Sequence, residues 1–254
     1  MNVPVNHFKH AIAAGRPQIG LWCNLASHHT VELLSRCGFN WLLLDMEHAP
    51  SDMSTLHLQL MASVGGSSAV VRPPWNDMVM IKRVLDIGAQ TLLIPYVQTA
   101  EEAVAAVAST RYPPEGVRGV AGSTRAAGYG RIKDYLHEAH REICVLVQVE
   151  TRKSLDNLDA ICAVDGVDGV FIGPNDLAAG MGHRGNLSHP EVQGAIADAI
   201  KRIRVHGKAA GILVGEADGQ RMLDMGALFV AVSADTTLLR LGADALVQKF
   251  RSGQ

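Results

Sequence analysis

Four carboxylates, a guanidinium and an imidazole fall where short apolar runs stop: Asp45, Glu47 and His48 after "WLLL", Arg72 after "AVV", Glu150 after "VLVQV", and Asp176 after "FIGPN". Charged groups beside buried strand are costly unless something holds them. Glu150 and Asp176 close two successive strands, and neighbouring strands lie about 4.8 Å apart. Carboxylates converging there repel unless a cation or a shared proton intervenes. Hard oxygen donors without a cysteine or histidine cluster favour Mg²⁺ or Mn²⁺ over structural zinc. The plainer alternative makes Glu150 the N-terminal acid of the following helix and Asp176 a cap of its own, and spacing alone leaves both open. Arg72, between a buried strand and the rigid Pro73-Pro74, suits a carboxylate or a developing oxyanion, or else a salt bridge to a neighbouring strand end. His48 has the chemistry of a general base with Asp45 fixing its tautomer, or is a hydrogen-bonded turn residue.

The elements that must position these groups repeat regularly. Strand candidates are "IGLWCN", "WLLLDME", "AVVRPP", "TLLIPYV", "ICVLVQVE", "GVFIGPND", "AAGILV" and "LFVAVSAD". Most are apolar on both faces, as parallel strands covered on each side are. Helical segments intervene; "TAEEAVAAVAST" opens with a capping box from Thr99 to Glu102, and "SHPEVQGAIADAIKRIRVHG" with another from Ser188 to Glu191, ending on Gly207. About eight such repeats in roughly 250 residues predict a (β/α)8 TIM barrel, an α/β fold forming a single domain over residues 1–254. An open doubly wound sheet would place a glycine fingerprint after its first strand. "GMGHRG" at 180–185 matches that fingerprint literally but joins no early strand to a helix, so it reads as a flexible loop. In a barrel the functional groups belong at the C-terminal ends of the strands, and the polar residues above cluster there while strand starts are bland.

Composition narrows the function. A net charge of −2 without a long run of one sign gives no support to nucleic-acid or membrane-surface binding. No apolar stretch approaches the roughly 18–20 residues of a spanning helix. The first residues lack the apolar block of a signal peptide and read as a short helix ending near Gly15. Cys23, Cys37, Cys144 and Cys162 form no CxxC pair and read as reduced core thiols, which implies a cytoplasmic protein. No lysine sits at the C-terminal end of a strand, which argues against Schiff-base chemistry.

The chain resembles the HpcH/HpaI aldolase family, the metal-dependent class II pyruvate aldolases. The resemblance runs through "GRPQIGLW", "LLLDMEHAP", "VVRPPWND", "IKRVLDIGAQTLLIPYV", "TRYPPEGVRGV", "VLVQVET", "GVDGVFIGPNDLA" and "GALFVAVSADTTLL". It implies reversible cleavage of a 4-hydroxy-2-oxo acid, of the 4-hydroxy-2-oxoheptanedioate or 2-dehydro-3-deoxy sugar acid type, to pyruvate and an aldehyde. It makes Glu150 and Asp176 ligands of Mg²⁺, Mn²⁺ or Co²⁺, and Gln148 and the Asn175 backbone pyruvate-binding positions. Arg72 matches the residue that stabilises the enolate, His48 the base, and Asp45 its orienting partner. Glu47 becomes a partner for water on the metal, and Asp86 an acid that supports the histidine from an adjacent subunit. The resemblance further implies a C-terminal helix exchanged between subunits and a homo-oligomer, a hexamer built as a trimer of dimers. Two departures stand out. Met46 occupies a position where the family usually has glycine, either narrowing the pocket or filling packing space. The loops "AGSTRAAGYGRI" and "LAAGMGHRGNLSHPEV" look nearer to those of sugar-acid aldolases, which leaves the aldehyde open. Two rival readings remain: a lyase of the citrate lyase β type acting on a CoA thioester, and a barrel that binds a metabolite without turning it over.

Overall fold

A computed structural model describes residues 1–251 of the chain. Its strands are β1 (Gln18–Cys23), β2 (Trp41–Asp45), β3 (Ser68–Arg72), β4 (Thr91–Ile94), β5 (Cys144–Val149), β6 (Gly169–Ile172), β7 (Ala209–Leu213) and β8 (Phe229–Ala234). All neighbours pair in parallel, and β8 returns to β1 to close a single-domain barrel. Helix α1 (His7–Ala13) precedes β1, and α2 (His28–Ser35), α3 (Met53–Ala62), α4 (Met78–Asp86) and α5 (Ala100–Thr110) follow the first four strands in turn. A longer excursion with α6 (Tyr135–Glu142) leads to β5. Then come α7 (Arg152–Asp156) and α8 (Leu158–Cys162) before β6, α9 (Pro174–Gly180) and α10 (Pro190–Val205) before β7, α11 (Glu216–Asp224) before β8, and α12 (Asp235–Arg251).

The two-residue period of the strands sorts their side chains. Trp41 and Leu43 of β2, Val70 of β3, Leu146 of β5, and Phe171 and Phe229 pack together inside the barrel. Leu42, Leu44, Val71, Val145 and Val147 point outward into the layer beneath the helices. Continuing the inward series past the hydrophobic residues brings Asp45, Arg72, Gln148 and Glu150 to one end. Gly20 and Gly211 leave room for the rings of Trp41 and Phe229, which a Cβ at either position would strike. Phe8 of α1 closes the other end, its ring 5.9 Å from Trp41 and 5.8 Å from Phe229 in edge-to-face contacts.

Several local expectations need correction. Thr99 caps α5 through the Glu102 N–H, but the Glu102 carboxylate accepts from Gln98 N–H at 2.6 Å instead of closing a box on Thr99. Helix α10 is capped by His189, not Ser188; the Ser188 hydroxyl donates to Asn186, because Pro190 has already taken the first helical position. The box the sequence did not suggest is at α7, between Thr151 and Ser154. "GMGHRG" spans the end of α9 and the turn after it, away from any early strand, and Gly207 ends α10 with φ +71° as its position implied. All four cysteines are free, but only Cys23, Cys144 and Cys162 are buried; Cys37 is exposed. Among the described residues no helix is long and apolar enough to cross a membrane.

Candidate active site at the C-terminal rim

Asp45 and Arg72 are register partners on β2 and β3, so their side chains leave the sheet side by side toward the barrel axis. Arg72 grips Asp45 with two parallel bonds, Nε to Oδ1 at 2.9 Å and Nη2 to Oδ2 at 2.6 Å. Its Nη1 lies 2.8 Å from Glu47 Oε2 in a second ion pair. The Trp22 indole donates to Asp45 Oδ2 at 3.1 Å, and the guanidinium lies 4.9 Å from the centre of the same ring. Burial alone would push the Asp45 carboxyl up; the hydrogen bonds and charge of Arg72 outweigh it and hold Asp45 below the usual carboxylate range. Glu47 moves the other way, because burial there exceeds the attraction of Arg72 and His48.

Asp45 therefore orients Arg72, and the expectation that it orients the His48 ring is not met. Asp45 Oδ1 accepts from the backbone N–H groups of Glu47, at 3.0 Å, and His48, at 3.4 Å, and not from the imidazole. The guanidinium fork matches both carboxylate oxygens at once, and an imidazole cannot compete for that geometry. The His48 side chain stays 67% exposed, its Nε2 3.9 Å from Glu47 Oε2. Asp86 is also elsewhere within this chain. It ends α4, which runs back from the rim toward the start of β4, and it accepts from Arg118 Nη2 at 2.8 Å. Met46 packs beneath the helices with Leu44 and Leu56, so it fills core space rather than narrowing the cavity.

Across the axis, Glu150 is fixed from two sides. Gln148 Nε2 donates to its Oε2 at 2.6 Å, and the backbone N–H of Tyr96 to its Oε1 at 2.9 Å. Burial, reinforced by the charges of Asp176 and Glu47 against the Gln148 bond, pushes the Glu150 carboxyl up to about 7. Gly173, the N-cap of α9, makes this arrangement possible: a Cβ there would lie 2.6 Å from Glu150 Oε2. Pro174, Asn175 and Asp176 form the first turn of α9, where backbone N–H groups have no intrahelical acceptor. Trp22, Asn24, Asp45, His48, Arg72, Gln148, Asn175 and Asp176 line one cavity of about 200 Å³. Three larger cavities, of about 440, 470 and 360 Å³, lie beside Asn6 and Thr91, beside Tyr112 and Pro114, and beside Ile132 and Glu142; Glu138 and Glu142, which line the third, already pair with Arg141 at 2.8 Å and His10 at 3.0 Å.

Two of these residues, Trp22 and Asn24, escaped the sequence reading. The signal was present, since both end the first strand candidate, as the other rim residues end theirs. Asn24 Oδ1 and Gln148 Oε1 are buried oxygens without a hydrogen-bond partner. Orphaned acceptors beside Glu150, whose carboxyl is pushed up by burial and by the charges of Asp176 and Glu47, fit a divalent cation, and the donors are the hard oxygens such a cation takes. A separate group, His183, His189 and Glu191, lies in and after the turn following α9. There the two imidazoles stack at 3.5 Å and 15°, so their lone pairs run in parallel planes, and His183 already pairs with Glu191 at 2.7 Å.

A family model for HpcH/HpaI aldolase/citrate lyase matches residues 18–241. The chain belongs to that family. A 4-hydroxy-2-oxo-heptane-1,7-dioate aldolase of Klebsiella pneumoniae is 58% identical over 248 residues, 96% of this chain and 94% of the relative. Among solved structures, an HpcH/HpaI aldolase/citrate lyase family protein from Burkholderia cenocepacia superposes with TM-score 0.94 at 39% identity, covering 97% of this chain and all (100%) of the other. An HpcH/HpaI aldolase from Desulfitobacterium hafniense gives 0.88 at 29%, covering 96% of each chain.

Proposed function

We propose that the chain is a class II, divalent-metal-dependent aldolase, a carbon–carbon lyase that reversibly cleaves 4-hydroxy-2-oxo acids to pyruvate and an aldehyde. The observation that carries this reading is the buried Gln148–Glu150 pair, with the carboxylate of Asp176 beside it at the mouth, facing an Arg72 already locked in place by Asp45. Glu150 and Asp176 hold the cation, Mg²⁺ or Mn²⁺ by their hardness, with Co²⁺ also compatible. Bound there, a divalent ion supplies Lewis acidity toward the carboxylate and keto oxygens of the substrate.

The protein's own groups do the rest. The free N–H of Asn175 at the start of α9 and the amide of Gln148 orient the pyruvyl half. A guanidinium carries five N–H donors, and the two carboxylates on Arg72 do not exhaust them. Its remaining donors meet the negative charge that develops on the keto oxygen as the C3–C4 bond breaks. Because Asp45 fixes the fork beforehand, no reorganisation is required at that moment. His48, at the open mouth, takes the proton of the 4-hydroxyl, directly or through one water. Glu47 lies between Arg72, at 2.8 Å, and His48, at 3.9 Å, where it would accept a hydrogen bond from water beside the cation. The family relationship supports substrates of the heptanedioate or deoxyketo sugar acid type.

Assembly belongs to the same proposal. Among the described residues the His48 ring has no polar partner nearer than Glu47 at 3.9 Å, which fits Asp86 of a neighbouring subunit supplying one. Along α12, Leu238, Leu241, Leu246 and Phe250 are exposed and only Asp235 is buried, which suits exchange of this helix in a hexamer, a trimer of dimers. The free, mostly buried thiols suit a cytoplasmic setting. The deciding experiment is C3-proton exchange of pyruvate in D2O followed by NMR. Exchange is expected with added Mn²⁺ and lost with chelator or in Glu150→Ala; exchange that survives both sinks the proposal.

A further inference from the structure

Tyr96 has φ +56°, a left-handed conformation that is uncommon away from glycine and disfavoured for a bulky residue. Its position in the ladder shows what this conformation accomplishes. Cys144 N–H donates to the carbonyl of Gln90, and the parallel rungs between β4 and β5 advance two residues at a time on each strand. An unbroken ladder would bring the N–H of Tyr96 to the carbonyl of Gln148. Instead Val97 N–H takes that carbonyl, at 3.0 Å. One extra residue has entered the chain, and it is Tyr96. Released from the ladder, the Tyr96 N–H turns to Glu150 Oε1 at 2.9 Å.

Something must hold the disfavoured backbone in place. The Tyr96 ring stacks on Trp75, centroids 5.4 Å apart and planes at 29°. Trp75 follows the Pro73-Pro74 pair that ends β3, so its backbone is stiffened from the other side of the rim. Beyond the bulge, Val97 is fully buried, and Gln98 is tied to the region after β5 by bonds from Thr151 Oγ1 and Asn157 Nδ2. We propose that Tyr96 is a positioning residue: the Trp75–Tyr96 stack holds a one-residue bulge that aims a backbone N–H at Glu150 and fixes the plane of its carboxylate for cation binding. This rests on the reading of Glu150 as a metal ligand, and the bulge is the means by which that ligand is pre-set.

The test is Mn²⁺ affinity, read by electron paramagnetic resonance on the full-length protein, with circular dichroism as the folding control. Tyr96→Ala keeps the N–H and the cost of the left-handed backbone but loses the stack; its Mn²⁺ dissociation constant is expected to rise about 10-fold, the low end for a group that orients a ligand. Tyr96→Gly keeps the N–H and removes that cost, since glycine takes positive φ freely, so it is expected to bind more tightly than Tyr96→Ala. Trp75→Ala should behave like Tyr96→Ala, and Trp75→Phe like the wild type. The inference is overturned if Tyr96→Ala and Tyr96→Gly bind alike, or if Trp75→Ala binds as the wild type does. Glu150→Ala, titrated alongside, separates the two levels. Unchanged affinity there removes the metal-ligand reading itself, whereas a large loss there with a flat series at 96 and 75 removes only the role of Tyr96.

Discussion

The two ends of the barrel handle charge in opposite ways. At the floor, Asp168 faces Lys9 at 3.6 Å, Lys9 and Lys208 also donate to the carbonyls of Ile143 and Val167, and Glu142 pairs with His10 at 3.0 Å. Asn6 spends its amide on Thr91 and on the Glu142 carbonyl. Each charged group named there has an ion-pair or hydrogen-bond partner. At the rim, Asp45 and Glu47 divide the guanidinium of Arg72 between them, Glu150 and Asp176 have no cationic partner among the described residues, and two amide oxygens are left over. A floor that satisfies itself contributes stability; a rim with surplus negative charge and spare acceptors suits a cation and an oxygen-rich ligand, as proposed. The same strands thus carry stability at one end and chemistry at the other.

That contrast can be broken from the rim first. Arg72→Lys should lower kcat by about 10²–10³-fold, the usual cost of losing a donor to a developing oxyanion, because an ammonium cannot hold Asp45 and substrate in one plane. Steady-state retro-aldol kinetics measure this, and a loss under threefold would remove Arg72 from the role. His48→Ala should cost about 10²-fold or more in cleavage while Mn²⁺ affinity stays unchanged; wild-type turnover would dismiss His48 as the base.

The pH dependence sharpens the comparison. Burial holds the folded-state value of Glu150 above that of an exposed carboxyl, so in metal-free protein its contribution to stability is present at low pH and is lost as pH rises through about 7. Glu150→Gln should therefore gain more stability relative to wild type at pH 8 than at pH 5.5, and none below about pH 4, by urea denaturation in EDTA. Conversely, Mn²⁺ affinity of the wild type should climb as pH rises through about 7, since the carboxyl must release its proton first. The smallest effect on activity belongs to the floor. Lys9→Met should cost about 1–2 kcal/mol of stability by leaving Asp168 with a weaker set of partners, and leave kcat/KM within about twofold.

Much of this was legible in sequence because period-two alternation projects directly onto the barrel. Trp41, Leu43 and Asp45 share a face whatever else the chain does, and so do Leu146, Gln148 and Glu150. What pattern could not supply was the choice among partners at short range. Asp45 had His48 three residues away and Arg72 on another strand, and the planar fork of the guanidinium took precedence. The left-handed backbone of Tyr96 was equally hidden, since tyrosine carries no signal for it. Its cause is a ladder slip between strands whose connection runs to about fifty residues. Asp86 marks a further boundary: on the proposal that it acts across subunits, the period of its own helix carries no trace of that role.

Phe8 gives the barrel a stopper, so the molecule is a cup with one mouth rather than a tube. On the proposed chemistry this dictates the order of traffic. The pyruvyl half sits deepest, against Gln148 and Asn175, and the aldehyde half lies above it toward His48. The aldehyde must depart before pyruvate can. Product-inhibition kinetics should accordingly find pyruvate competitive with the 2-oxo acid, which shares its berth, and the aldehyde noncompetitive.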